Sequence, residues 1–153
     1  MRGIKGKSVR EIDAASVAVW AADYREVTID LGTGDGRFVR ETATRNPAMA
    51  VIGVDACQPN LSQRPRGAPE NALFIVADAL SLPGDLHGLA TSVTVNFPWG
   101  SLLTGLLDDH LGLIDGLCSL GRDSLSMRIA LNSGALIEAG GISAPGQSRS
   151  PPP

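Results

Sequence analysis

Residues 28–36 read Thr-Ile-Asp-Leu-Gly-Thr-Gly-Asp-Gly, a β-branched run that ends in an acid and three alternating glycines. Gly32, Gly34 and Gly36 carry no Cβ and tolerate positive φ, so a bulky ligand can lie directly on the main chain where a strand turns into a helix. Asp30, at the end of the strand, sets a carboxylate beside that loop, where a cationic ligand group would favour its charged form. A dinucleotide fingerprint would need a glycine at position 37, and Arg37 stands there. The spacing therefore suits a nucleoside-like cofactor better than a pyrophosphate, with an ordinary tight turn as the plain alternative.

Two further groups extend this chemistry. Asp55 closes the apolar run Val51-Ile52-Gly53-Val54, about 20 residues beyond the glycines, where a second parallel strand would bring a carboxylate to ribose hydroxyls. Its other reading is a helix N-cap. Asn96-Phe97-Pro98-Trp99-Gly100-Ser101-Leu102-Leu103 follows a later strand. An aromatic side chain set by a preceding proline at that edge can stack on a base brought to the cofactor, as in enzymes that act on flipped nucleobases. The alternative for Trp99 is buried packing that caps the sheet.

Positioning these groups requires strands that alternate with helices. Residues 1–12 suit a small hairpin. Asp13 can cap a helix with Val17, Trp20 and Ala21 on one stripe, Trp20 being read as core. A strand at 27–31 leads into a helix over about 36–45, which Asn46-Pro47 stops. Strands follow at 51–55, at 72–77 (ending at Asp78), at 92–97 and at 124–131. Between the last two, Ser101 caps one long helix whose expected inner face carries Leu103, Leu107, Leu111, Ile114 and Cys118, although Gly105, Gly112 and Gly116 each weaken it by about 1 kcal/mol. The pattern predicts an α/β fold with a doubly wound parallel sheet over residues 1–139. The Pro-, Ser- and Gly-rich stretch 140–153 is expected to be disordered.

Composition narrows the class. The 153 residues are 43% hydrophobic and 19% charged, ordinary material for one globular domain with its own core. A formal charge of -3 gives no global signature for nucleic acid, so a polyanion would have to meet local basic patches, for which Lys5, Lys7, Arg64 and Arg66 are the candidates. Cys57 and Cys118 lack metal-type spacing and are read as packing residues of a protein in a reducing cytoplasm. His87 and His110 have no ligand cluster around them, so no metal is expected, and no run is long enough to span a bilayer.

The D-x-G-x-G-x-G loop resembles that of class I S-adenosyl-L-methionine (SAM) methyltransferases. With it, Gly-Lys-Ser-Val-Arg-Glu near the N-terminus, Ile-Gly-Val-Asp, and especially Phe-Pro-Trp-Gly-Ser-Leu-Leu resemble the aminoglycoside-resistance 16S rRNA adenine-N1 methyltransferases of the kanamycin-apramycin type, over residues 1 to about 139. The resemblance implies a Rossmann-like sheet, SAM as cofactor, and adenine 1408 of 16S rRNA in the 30S subunit as target, its methylation blocking drug binding. It implies a cofactor and target pocket lined by Gly32, Asp55, Ala79, Asn96, Trp99 and Ser101, beside Asp30, Gly34 and Asp78.

The chain departs from that family in three ways. The family continues past the fifth strand of its fold with two more strands and a second tryptophan that completes a sandwich around the adenine, so this chain reads as C-terminally truncated. The segment after Asp55 is shorter, with Arg64 and Arg66 in place of a lysine-rich helix. Leu80 stands where an acid usually follows the Ala79 position, and Asn96 where an apolar residue is usual. Asn96-Phe97-Pro98-Trp99 also resembles the N-P-P-Y motif of amino methyltransferases, which leaves N6 methylation of adenine open, and a SAM-binding remnant without turnover is the remaining alternative.

Overall fold

The computed structural model describes residues 1–5, 8–62, 67–108 and 111–140. The expected tail from 141 onward, Lys7, Arg64, Arg66 and His110 therefore lie outside the described residues. Seven strands form a single sheet: β1 (Arg2–Lys5), β2 (Ser8–Glu11), β3 (Glu26–Leu31), β4 (Met49–Asp55), β5 (Ala72–Val76), β6 (Ala90–Asn96) and β7 (Gly121–Ala130), in the order β2-β1-β5-β4-β3-β6-β7. From β3 to β7 all pairings are parallel. The N-terminal hairpin is present and extends the sheet, because β1 pairs antiparallel with both β2 and β5, making the sheet mixed rather than purely parallel.

Strand β3 is buried from Val27 to Leu31, and β4 from Ala50 to Val54. Such continuously buried runs belong to strands covered on both faces. On one face lie α1 (Ala14–Ala22), α4 (Gly100–Leu107) and α5 (Leu111–Ser119), packed on Ile29, Leu31, Ile52, Val93 and Val95. On the other lies α2 (Arg37–Arg45), whose Val39 and Ala43 meet Val51, Phe74 and Val76. Asp13 caps α1 by accepting from Ser16 N. The side chain of buried Asn71 donates to the carbonyls of Ala43, Asn46 and Met49, tying the end of α2 to the start of β4.

Three expectations are corrected. The region from Ser101 to Cys118 holds two helices, not one. Leu113 and Leu117 face the core while Ile114 and Cys118 point outward. The cap falls on Trp99 rather than Ser101, so the helix opens two residues earlier, at Gly100, without a side-chain capping bond. Cys57 and Cys118 are exposed and do not serve as packing residues. The structure adds two short helices, α3 (Gln58–Ser62) and α6 (Ser133–Glu138), the second capped by Asn132, whose side chain accepts from Gly134 N.

Close packing fixes how the glycine loop rests on the sheet. A Cβ on Gly53 would stand 2.9 Å from both Thr33 Cγ2 and Val39 Cγ2, and 3.2 Å from Phe74 Cδ1. Glycine at that point lets the loop and α2 settle onto β4. Gly53→Ala is expected to cost about 1–3 kcal/mol by overpacking, seen as a lower urea midpoint at unchanged m-value; an unchanged midpoint would show that the loop has room to move.

Candidate active site

In the parallel part of the sheet the strands run β5-β4-β3-β6-β7, so the chain works outward to one side from β3 and then returns to begin the other side at β6. Loops leaving the carboxyl ends of β3 and β6 diverge, and the crevice between them is where ligands of open α/β sheets bind. A cleft of about 300 Å³ opens there. Gly32, Gly34, Asp55, Asp78, Ala79, Trp99 and Ser101 line it, together with Asn60, Phe97 and Pro98. Four chain segments far apart in sequence are thus brought to one place. A larger groove between the hairpin, α1 and β5, walled by Ile4, Trp20 and Phe74, shares no residue with it.

The glycine loop is built as its composition requires. Gly32, Gly34 and Gly36 have φ of 69°, 58° and 70°, a region costly for residues with a Cβ. Gly32 N and Thr33 N donate to Val54 O, and Gly34 N donates to Asp55 Oδ2 at 2.8 Å. Nothing lies within 4 Å of the point where a Cβ on Gly34 would stand, so the main chain there faces open space. The second oxygen of Asp55 accepts from Cys57 N at 2.8 Å. Asp55 therefore makes a turn ahead of α3 without occupying its N-cap position, since the helix begins at Gln58, and it also braces the glycine loop. A carboxylate has about four acceptor sites, so these two bonds leave capacity for a diol.

The opposite wall comes from the segment after β6. Trp99 is 56% exposed and Phe97 57%. Trp99 is thus no buried cap of the sheet. Phe97 has φ 51°, the one non-glycine residue with positive φ among the described residues, and its N–H donates to Ala130 O of β7 at 2.8 Å. Asp78 lies at the rim, where its Oδ1 accepts from Leu80 N. Sequence reasoning passed over Asn60, which α3 carries to the cleft, and the left-handed conformation of Phe97, for which the residue type gives no signal.

Asp30 and Asn96 do not line the cleft. Asp30 is 2% exposed and accepts at Oδ1 from Thr94 Oγ1 (2.6 Å) and from Asn96 Nδ2 (2.9 Å). Burial raises its pKa above the ordinary 3.8, opposed by the hydrogen bonds from Thr94 and Asn96, by the nearby Thr33 hydroxyl and by the charge of Arg128. Lys5 ends β1, the hairpin strand beside β5, well along the sheet from the β3/β6 crevice. Among the described residues no group of three or more His, Cys, Asp or Glu side chains is arranged to hold a metal ion, and no helix is long and apolar enough to cross a membrane.

Residues 2–151 match the family model described as NpmA, 16S rRNA (adenine(1408)-N(1))-methyltransferase. The chain belongs to this family. A curated member from Streptoalloteichus tenebrarius, named 16S rRNA (adenine(1408)-N(1))-methyltransferase, is 32% identical over 145 residues, covering 86% of this chain and 64% of that protein. The chain thus spans just under two thirds of that relative's length. Among solved structures, the antibiotic-resistance methyltransferase Kmr is 36% identical with a TM-score of 0.80, covering 88% of this chain and 72% of that one. The aminoglycoside resistance methyltransferase NpmB1 is also 36% identical, with a TM-score of 0.78, covering 91% and 74%. The expected α/β fold of a class I methyltransferase is therefore the fold of this family member.

The buried carboxyl yields a test with a definite sign. Its folded-state pKa lies above its unfolded value, so between 3.8 and that raised value the native state holds more protons than the unfolded state. Stability contributed by the neutral carboxyl is complete below the unfolded value and is lost as pH rises through the folded one. Asp30→Asn cannot ionise at this position. Urea midpoints taken from acid pH to neutrality are expected to move in favour of the variant as pH rises; a difference independent of pH would refute the assignment.

Proposed function

We propose that this chain transfers the methyl group of SAM to N1 of adenine 1408 in the 16S rRNA of the 30S subunit, the modification for which its curated relatives are named, and so confers aminoglycoside resistance in the cytoplasm. One observation carries the reading: the glycine loop, the Asp55 carboxylate and the Trp99 indole face a single cleft at the switch point of the sheet. The cleft is at the lower end of small-molecule sites in volume. Its residues suit SAM, because Asp55 retains acceptor sites for ribose hydroxyls and the open main chain at Gly34 admits a ligand without a clash. Ala79 and Ser101 supply further wall, with Asp78 at the rim.

When bound, SAM supplies an electrophilic methyl group on a sulfonium. Adenine N1 carries an in-plane lone pair and is unprotonated near neutrality, so no side chain has to remove a proton. The work left to the protein is to orient and to desolvate. Trp99 offers its exposed indole as a stacking surface for the flipped base, while the Asp55 brace keeps the glycine loop in one conformation. Lys5, Lys7, Arg64 and Arg66 are proposed as contacts to rRNA phosphates. Transfer to the exocyclic N6 would call on Asn96 as an acceptor facing the substrate. Asn96 donates to Asp30 and lies outside the cleft lining, which favours N1.

Primer extension on 30S subunits incubated with the protein and SAM is expected to stop at adenine 1408, because N1 methylation blocks pairing. Trp99→Ala should reduce the rate about 10- to 100-fold, as loss of one stacking surface worth about 1–3 kcal/mol implies, and leave SAM affinity in place. Asp55→Ala should weaken SAM binding in calorimetry about 10-fold or more, since hydrogen bonds to a charged group contribute about 1.5–3 kcal/mol. SAM binding without any methylation of 30S subunits would leave a cofactor-binding protein without turnover. Methylation without a stop would move the product to N6.

A further inference from the structure

The geometry points to Asp30 as a positioning residue that acts through Asn96: its buried carboxylate fastens the end of β6 to the end of β3 and so fixes the Phe97–Trp99 wall against the glycine loop. The inference rests on the methyl-transfer reading above for its catalytic consequence, and on the hydrogen bonds alone for its structural one.

The placement is specific. Asp30 and Thr94 are directly paired in the parallel ladder between β3 and β6. Asn96, two residues further along β6, is on the same face, because side chains alternate along a strand. Both donors converge on one oxygen, Asp30 Oδ1, at 2.6 and 2.9 Å. The register between the two strands ends at Leu31 and Val95. Beyond it β3 passes into Gly32 and β6 into Phe97, so the Asn96 side chain is the last direct tie between the strands before their loops part. On its other side the same loop is held by Phe97 N bonding to Ala130 O of β7. Phe97 itself is in a left-handed conformation and mostly exposed, so its own packing does not hold it there. A non-glycine residue persists in that region only when its surroundings over-determine it. The flanking bonds of Asn96 and Phe97 N are those surroundings.

This assigns Asp30 and Asn96 a different task from contact with the cofactor. Neither lines the cleft. Desolvating a carboxylate is costly, and the site compensates it with hydrogen-bond donors instead of exposing it to a ligand. Since both bonds go to a single oxygen, the carbonyl of an asparagine can accept both, though without the assistance of charge, whereas an alanine can accept neither.

The test uses Trp20→Phe as background, which leaves Trp99 as the single tryptophan of the chain. Time-resolved anisotropy then reads the order of the loop directly. In the background protein Trp99 is expected to tumble with the whole molecule. Asn96→Leu, which keeps volume but loses the donor, and Asp30→Ala should both convert most of that slow component into fast local motion, and Asp30→Asn should restore it. On 30S subunits the same two loosening variants should lower kcat about 10- to 100-fold, the scale of a misplacement near 1 Å, at unchanged KM for SAM. Asn96→Leu, at a half-buried strand end, carries the test if Asp30→Ala fails to fold. Unchanged anisotropy in Asn96→Leu, or an Asp30→Asn protein as loose as Asp30→Ala, would overturn the inference. Absence of methylation by the unmodified chain would instead count against the functional reading, and the anisotropy result would still decide the role of Asp30.

Discussion

Strand β3 governs this molecule. It is bonded on one side to β4 and on the other to β6, strands separated in the chain by β5, and it is buried from Val27 to Leu31. With both neighbours parallel to it, all three strands release their loops at the same edge. The loop from β3 turns back to α2 over one face, while the segment from β6 turns into α4 over the other. A crevice at that edge is a consequence of topology before any side chain is considered. Every group in the proposed site is attached to one of these strand ends or to the end of β5.

That origin explains which parts were legible in the sequence. Gly32, Gly34 and Gly36 announce themselves because positive φ and an open main chain can be supplied by little else, and Asp55 because an acid closing an apolar run marks a strand end. Helix phase was less legible. Leu111, Ile114 and Cys118 continue a plausible stripe from Leu103, but the residues that turn inward are Leu113 and Leu117, in step with Leu102 and Leu106. Leucines stand on both stripes, so residue type alone does not say which one meets the sheet. The exposure of Cys57 and Cys118 is likewise a matter of tertiary placement, which residue type only biases.

Asp30 shows a different limit. Its identity, at the head of the glycine loop, suggests a ligand contact, and its neighbours in sequence give no reason to think otherwise. Its partners are Thr94 and Asn96, on a strand separated from its own in the chain by two others. A burial that depends on pairing so distant in the chain leaves no local trace. In isolation Asn96 reads equally well as an acceptor for a substrate amine. Only the parallel register between Asp30 and Thr94 puts the amide of Asn96 on the carboxylate.

Strain and desolvation in this protein gather around the cleft. The left-handed backbone of Phe97, the buried carboxyl of Asp30 and the three positive-φ glycines all stand at the carboxyl edge of β3 and β6, while the sheet interior below is apolar and closely packed. Local conformational cost of this kind persists where the surrounding structure enforces it, and here the enforcing groups are backbone ladders and a few short hydrogen bonds. A methyl transfer that requires no proton to be moved gains little from an acid or a base. It gains from two loops that cannot drift apart, since misalignment of the reacting atoms by about 1 Å can cost on the order of 100-fold in rate. Loops braced on both sides of the cleft are therefore what the proposed chemistry calls for.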